Sequence, residues 1–149
     1  IALMEQGGPW WVADIFNGDY IDSVGRKQGW DEEILRKNDE TTEAQRAGFR
    51  KAVAAGVKIA YGTDSGVYPH RFVARQLPYM VRYGMTPMQA VQSATLSAAQ
   101  LMRWEDRVGS IAVGKYADLV AVQGDVLANL QALENVGFVM KGGVVYKGP

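Results

Sequence analysis

The residues best placed to do chemistry lie in one stretch, Val57–His70. An apolar run, Val57–Tyr61, ends at Gly62-Thr63-Asp64-Ser65-Gly66, and a proline and a histidine follow a few residues later. A carboxylate directly after a buried strand, with glycines on both sides, suits a site where a ligand approaches the backbone closely. The same residues fit an ordinary turn, because Asp and Gly dominate turns through local hydrogen bonds. The pattern makes Asp64 a candidate site residue and leaves the turn as the alternative.

His70 is the only histidine, and the sequence contains no cysteine. A zinc site needs three or four protein ligands, and the sequence offers His70 no partner at a suitable spacing. The absence of cysteine excludes disulfides and thiolate ligands within this sequence. We interpret His70 either as a hydrogen-bonded structural residue or as a substrate-binding residue near Asp64. Arg71 is a second candidate for the same substrate contact, with a solvated surface position as its alternative.

The elements around this stretch predict a parallel βαβ unit. Trp10–Ile15 is an apolar segment of strand length, and Val57–Tyr61 has the alternation of a short buried strand. Between them, Thr42-Glu43-Ala44-Gln45 has the form of a capping box, so we expect a helix from Thr42 to Gly56. Strand, helix and strand in this order place the two strands parallel to each other.

A long polar segment, Phe16–Thr41, separates the first strand from this helix. Ile34 and Leu35 predict one short helix within it, and we expect the rest to be a loop. Connections of this length in compact domains are usually lids, binding loops or disordered segments. Tyr20 could face a ligand there, or it could belong to ordinary packing within the loop.

Further helices are expected on both sides of the unit. Phe72–Gly84 contains Pro78, which predicts a kink or a late helix start. Thr86–Gln89 forms a capping box with proline at the first helical position, and Ser97–Gln100 repeats the capping pattern. At the other end, IALMEQGG is typical of the last turn of a helix with a glycine cap. We therefore expect this sequence to begin inside a longer protein.

The sequence changes character at about Arg107. VGSIAVGKYADLVAVQGD predicts two short strands around a Val113-Gly114-Lys115 turn. Val136–Met140 and Val144–Tyr146 predict two more strands, joined by a tight hairpin because a Gly-Gly pair lies between β-branched runs. This local antiparallel pattern predicts a separate β layer.

The composition is that of a globular chain, with 48% hydrophobic residues among 149. Lys and Arg number 16 and Asp and Glu number 16, without any block of like charges. This balance argues against a nucleic-acid partner. No apolar run approaches the roughly 20 residues that span a bilayer, so we expect no membrane partner. The compartment and the oligomeric state, a homo-oligomer included, stay open.

Three segments in a fixed order resemble one known family. GTDSG after an apolar strand, MTPMQAVQSATLSAAQLM and VGSIAVGKYADLVAVQGD are similar to the C-terminal part of the metal-dependent amidohydrolases. Tyr68-Pro69-His70 and MVRYGMTPMQAVQSAT resemble the imidazolonepropionase-like and Xaa-Pro dipeptidase-like branch of that superfamily. The resemblance runs from about Trp10 to Tyr146.

The resemblance implies an α/β fold made of the C-terminal part of a (β/α)8 TIM-like barrel and strands of a small β-sandwich. Trp10–Ile15 and Val57–Tyr61 would be the seventh and eighth barrel strands. Residues 1–106 would form the barrel portion, and residues 107–149 would form the C-terminal strands of the sandwich. Such barrels carry their chemistry at the C-terminal ends of the strands, which is where Asp64 stands.

The resemblance also implies a reaction. In this family one or two divalent metal ions, commonly zinc, activate a water that hydrolyses a C–N bond, here in a dipeptide or a cyclic amide. The aspartate after the eighth strand is both metal ligand and proton shuttle, and Asp64 matches that position. His70, Tyr20 and Arg71 would help to bind the substrate.

The family's other metal ligands are missing from the sequence. Its paired histidines, its bridging lysine and two further histidines would lie before Ile1, so we expect this chain alone to be inactive. Two alternatives stay open. One is a noncatalytic β-rich binding or assembly module in which GTDSG is only a turn, and the other is a deaminase or deacetylase branch of the same superfamily.

Overall fold

The computed structural model describes residues 1–5 and 8–148, which form a mixed α/β structure with two separate sheets. The strands are β1 (Trp11–Ala13), β2 (Ile59–Tyr61), β3 (Leu119–Ala121), β4 (Phe138–Lys141) and β5 (Val144–Lys147). The α-helices are α1 (Ala2–Glu5), α2 (Asn17–Gln28), α3 (Glu32–Ala54), α4 (Gln76–Arg82), α5 (Pro87–Ser93) and α6 (Leu96–Leu101). Two 3₁₀ helices cover His70–Arg75 and Leu130–Glu134. No helix in these two described ranges is long and apolar enough to cross a membrane.

The predicted parallel βαβ unit is confirmed. β1 and β2 pair in parallel, with Trp11 opposite Ile59 and Ala13 opposite Tyr61. Both strands are shorter than the sequence suggested, and within the described residues they form a two-stranded sheet that does not close into a barrel. The chain leaves both strands at the same edge of this sheet, because parallel strands run in the same direction.

The prediction of a long loop over residues 16–41 is wrong. α2 fills the first half of this segment and ends at Gly29, which has the left-handed conformation typical of a helix end. α3 then begins at Glu32, because the Asp31 side chain caps it by accepting a hydrogen bond of 2.7 Å from the backbone N–H of Glu33. Salt bridges one helical turn apart, such as Lys37–Glu33, support the polar first half of this helix.

The capping box predicted at Thr42 is therefore also wrong, because α3 runs straight through it. Thr42 is buried and faces Gly18 of α2, where a Cβ atom on the glycine would clash with the Thr42 hydroxyl. α2 and α3 pack against each other through this close approach. The end of the helix is as expected, since α3 is followed by Ala55 and by Gly56 with a positive φ.

The helices after the parallel sheet agree better with their sequence patterns. The helix around Pro78 starts late, at Gln76, with the proline in its first turn. Thr86 and Gln89 form a complete capping box at the start of α5, with Pro87 as the first helical residue. The second box is wrong, since α6 begins at Leu96, one residue before Ser97.

The C-terminal part forms an antiparallel sheet in the order β3-β4-β5. Gly142 and Gly143, both with positive φ, make the tight turn between β4 and β5 as predicted. The turn at Lys115 is present, with its backbone N–H donating to the Ala112 carbonyl at 3.2 Å, but the segment before the turn is not a strand. At the other end, α1 agrees with the predicted terminal helical turn, and its glycine cap lies outside the described residues.

The hydrophobic core lies between the parallel sheet and the helices that cover it. Buried side chains from β1, α3, β2 and α4 meet there, namely Ala13, Phe49, Ala52, Ile59 and Met80. Ile15, the second residue after β1, is also fully buried. The core therefore holds the carboxyl ends of both strands in fixed positions beneath the polar residues that follow them.

Candidate active site

Asp64 is the third residue after the end of β2, and it is exposed. Its backbone is in the left-handed region, with φ of 47°, which few residues other than glycine adopt. The Asp64 carbonyl accepts a hydrogen bond of 3.3 Å from the Val67 N–H, so the segment does form the turn that the sequence allowed. The turn and the site are compatible, because the turn is what presents this carboxylate at the strand end.

A second carboxylate, Asp14, follows β1 directly. Gln45 of α3 holds it, with its Nε2 donating to Asp14 Oδ1 at 3.1 Å and to the Asp14 carbonyl at 2.9 Å. Burial raises the pKa of Asp14 above its ordinary value, and the negative charge of Asp64 raises it further. The parallel pairing of β1 with β2 thus brings two carboxylates within electrostatic reach at one edge of the sheet.

Asn17 joins these strand ends. As the first residue of α2, it donates a hydrogen bond from Nδ2 to Asp64 Oδ2 at 3.0 Å, across 47 positions of sequence. Its other amide atom, Oδ1, is buried and has no hydrogen-bond partner within residues 1–5 and 8–148. Buried acceptors without partners are rare in native proteins, and one in a carboxylate-bearing site invites a functional explanation.

Tyr68 forms the floor beside these residues. It is 3% exposed, and its ring lies 5.1 Å from that of Phe16 between centroids. Its hydroxyl is buried without a hydrogen-bond partner in the described part of the chain. Burial raises the pKa of Tyr68, and the charges of Asp14 and Asp64 raise it further. The hydroxyl therefore stays protonated near neutral pH and can donate a hydrogen bond.

Gln76, at the start of α4, ties the two strand ends together. Its side chain is fully buried, and Oε1 accepts hydrogen bonds from the backbone N–H groups of Ile15 at 2.9 Å and Phe16 at 2.8 Å. Its Nε2 donates to the carbonyls of Ala13 and Gly62, both at 2.6 Å. One amide thus satisfies four backbone groups where β1 and β2 end, and it fixes the segments that carry Asp14 and Asp64.

The three substrate-binding candidates lie at different distances from this arrangement. Tyr20 is on α2 rather than in a loop, and its ring packs against Tyr68 at 5.7 Å and Phe72 at 6.3 Å between centroids. With Phe16 and Tyr79 it lines a cleft of about 390 Å³ that Asp64 does not line. His70 and Arg71 are both exposed, and neither bonds to Asp64 among the described residues.

Sequence reasoning singles out Asp64 as a candidate site residue but does not single out Asp14, Asn17, Tyr68 and Gln76. Asp14 was visible as the one charge in an apolar strand-like segment, WWVADI. Gln76 was visible as an amide between two apolar helical runs. Asn17 gave no signal, because its role depends on α2 starting where a loop was expected.

Metal ligands are incomplete within residues 1–5 and 8–148. No group of three or more His, Cys, Asp or Glu side chains there could hold a metal ion. Asp64 by itself fits a ligand role, since its side chain is exposed and only Oδ2 is engaged by Asn17. Carboxylate oxygens are accepted ligands of zinc and of harder divalent ions. The described residues can therefore supply part of a metal site.

Comparison with known proteins gives the family. The model of the amidohydrolase family matches residues 15–146. Ochratoxinase of Aspergillus niger is 31% identical over 127 residues, which are 82% of this chain and 26% of the relative. Imidazolonepropionase of Brevibacillus brevis is 32% identical over 110 residues, which are 68% of this chain and 26% of the relative. The chain belongs to the amidohydrolase family.

Solved structures agree with this assignment. A crystal structure of a Xaa-Pro dipeptidase with methionine bound in its active site matches 99% of this chain with a TM-score of 0.89 and 41% identity. A putative prolidase from Bifidobacterium longum matches 97% with a TM-score of 0.87 and 27% identity. The chain spans 36% and 37% of these two chains, respectively, and about a quarter of the two curated relatives named above. The predicted resemblance is confirmed at the level of the family.

Proposed function

We propose that the protein containing this chain is a metal-dependent amidohydrolase that cleaves a C–N bond in a dipeptide-like or cyclic amide substrate. The observation that carries the proposal is the position of Asp64. It stands at the end of a strand that pairs in parallel with β1, in a chain that matches a Xaa-Pro dipeptidase with a TM-score of 0.89. In this proposal β1 and β2 are the last two strands of a (β/α)8 barrel, residues 1–106 belong to the barrel, and residues 107–149 belong to a β-sandwich.

Asp64 has two tasks in this reaction. It accepts a proton from the water that attacks the carbonyl carbon, and it passes that proton to the nitrogen as the C–N bond breaks. A carboxylate suits both tasks, because it can be a ligand and a base in turn. One or two divalent ions, zinc in our proposal, would supply a water of lowered pKa when bound. The ligands that complete such a site would come from outside this chain.

Substrate binding falls to the residues around Asp64. The cleft beside Tyr20 combines aromatic rings with the charged side chains of Asp19 and Arg75, so a proline ring or a hydrophobic side chain could lie against its aromatic part. His70 and Arg71 are exposed at the start of the 3₁₀ helix that follows the Asp64 turn, so they could reach a substrate carboxylate. The related dipeptidase structure holds a methionine in its active site, which supports an amino-acid-like ligand for this chain as well.

The experiment is hydrolysis by the purified protein expressed from its complete gene. The substrates are Xaa-Pro dipeptides, other dipeptides and cyclic amides, and the readout is release of free amine. We expect chelation to abolish hydrolysis and added zinc to restore it, because the attacking water needs the metal. Hydrolysis that persists after metal removal would contradict the proposal. Release of ammonia or acetate from amino or acetamido compounds would favour the deaminase or deacetylase branch instead.

A further inference from the structure

We propose that Asn17 is a positioning residue that fixes the Asp64 carboxylate for proton transfer. The inference rests on the proposed function, because it concerns the same aspartate. Asn17 Nδ2 donates to Asp64 Oδ2 at 3.0 Å, while Asp64 itself sits in a turn beyond the end of β2. One carboxylate oxygen is thereby held by a residue from the other strand end, and the second oxygen is left to the reaction.

The orientation of the amide supports this role. Asn17 Oδ1 is buried and has no partner within the described ranges. Turning the amide over would point this acceptor at Asp64, and an ionised carboxylate is acceptor-only. The bond to Asp64 therefore fixes which way the amide faces, even though a buried oxygen is left without a donor. An arrangement chosen for stability alone would satisfy both ends of the amide.

Helix formation does not explain the asparagine either. Asparagine stabilises helices mainly as the N-cap residue, and it is a weak former within a helix. In α2 the N-cap is Phe16, which makes no side-chain capping bond, and Asn17 is the first helical residue. Its side chain thus makes its bond across the site to Asp64 rather than to the helix.

The role predicts a specific kinetic effect. Asn17 acts on the catalytic carboxylate and not on the substrate, so its loss should lower kcat and leave KM nearly unchanged. Misplacing a catalytic group by a fraction of an ångström to 1 Å can cost up to about 100-fold in rate. We expect Asn17→Asp, which keeps the shape but removes the donor, to lower kcat about 10- to 100-fold.

The matched control is Asn38→Asp. Asn38 of α3 donates from Nδ2 to the Gly18 carbonyl at 2.9 Å, so this change removes the same kind of donor one residue away along α2. With methionyl-proline as substrate, we expect Asn38→Asp to lower the thermal midpoint and keep kcat. Asn17→Asp should lower kcat, and Asn17→Ser, which keeps a donor, should restore part of kcat. Equal losses of kcat in both Asp variants would overturn the proposal.

A second measurement needs no substrate. Thermal midpoints of Asn17→Ala, Asp64→Ala and the double variant form a double-mutant cycle, and we expect their changes to be non-additive because the two side chains bond. Additive changes would overturn the proposal.

The kinetic measurements also separate this inference from the proposed function. If Asp64→Asn stays active, the proposed function is wrong; if it is inactive while Asn17→Asp keeps kcat within twofold, only the role of Asn17 is wrong.

Discussion

At the scale of single residues, Gln76 makes the strongest connection to the rest of the site. Its buried amide uses both hydrogen-bonding atoms on four backbone groups from the ends of β1 and β2. A side chain that only filled space in the core would not need to be polar. The amide adds to the last backbone bond between the two strands, from the Gly62 N–H to the Ala13 carbonyl at 2.9 Å, and extends the connection beyond it.

Replacing Gln76 with leucine should therefore cost more stability than replacing a surface glutamine. Leucine has a similar volume but leaves the N–H groups of Ile15 and Phe16 and the carbonyl of Gly62 without this partner. The Ala13 carbonyl keeps its bond from the Gly62 N–H. Each buried unpaired group costs about 1–3 kcal/mol. We expect a loss of roughly 3 kcal/mol or more in the free energy of unfolding, measured by chemical denaturation. The control is Gln100→Leu, at an exposed position of α6. Equal effects of the two substitutions would show that the amide does not hold the strand ends.

At the scale of elements, three helices meet at Asp19 of α2. Its carboxylate accepts hydrogen bonds from Arg46 of α3, which is 6% exposed, and from the hydroxyl of Tyr79 of α4. Although burial opposes ionisation, these bonds and the charge of Arg46 lower the pKa of Asp19 below its ordinary value of 3.8. The ionised Asp19 carboxylate thus holds α2, α3 and α4 together.

This link predicts how stability depends on pH. A carboxylate whose pKa is lowered by folding stabilises the folded chain above its unfolded pKa, and this contribution is lost as pH falls through the folded pKa. We expect Asp19→Asn to be less stable than the wild type at neutral pH. The difference should begin to shrink as pH falls below about 5 and should disappear once pH has passed through the lowered pKa of Asp19. Asp22→Asn, at a half-exposed position of the same helix, is the control. A stability difference between Asp19→Asn and the wild type that does not narrow in acid would contradict the assignment.

Much of the fold could be predicted from local sequence patterns, and the largest error, over residues 16–41, has a physical cause. Short patterns of neighbouring residues predict the parallel unit, the capping box at Thr86 and the Gly142-Gly143 hairpin. The structure contains all three. The long segment before Thr42 was misassigned because its helices are polar and are stabilised by Asp31 capping, surface ion pairs and contacts between helices. Those contacts join residues far apart in sequence, so periodicity does not show them.

The residues of the candidate site likewise differ in how far the sequence alone could predict them. Asp64 could be predicted because a strand end, two glycines and a family motif coincide at one place in the sequence. Asn17 could not be predicted, and Asp14 showed only as a charge in an apolar segment. Both come near Asp64 only once β1 and β2 pair and α2 begins at Asn17. The roles of Tyr20, His70 and Arg71 in substrate binding remain predictions of the sequence.

At the scale of the whole molecule, the described surface is unusually apolar at the antiparallel sheet. All of β5 is exposed, with Val144 at 58% and Tyr146 at 72%. Two apolar residues that precede β3 in the sequence, Ile111 and Val113, are also nearly fully exposed. Edge strands with exposed apolar side chains tend to pair with other chains. Because relatives of this family are about three to four times as long as this chain, we expect other parts of the whole protein to cover this surface.

This predicts a difference between the 149-residue polypeptide and the whole protein. We expect the polypeptide alone to associate in solution, as measured by light scattering during a concentration series. Tyr146→Lys should reduce the association, because a charge on an edge strand disfavours pairing between chains. A monomeric polypeptide that unfolds cooperatively by itself would instead favour the noncatalytic binding module.

The most direct test of the central claim is the turnover number of Asp64→Asn in the whole protein, beside Asp22→Asn as the matched control. Asparagine keeps the shape and size of the side chain but cannot carry the proton, so we expect the fold to persist and kcat to fall by at least about 100-fold. The control should keep kcat near the wild-type value. Wild-type turnover in Asp64→Asn would show that this aspartate is not the proton shuttle, and the proposed mechanism would then be wrong.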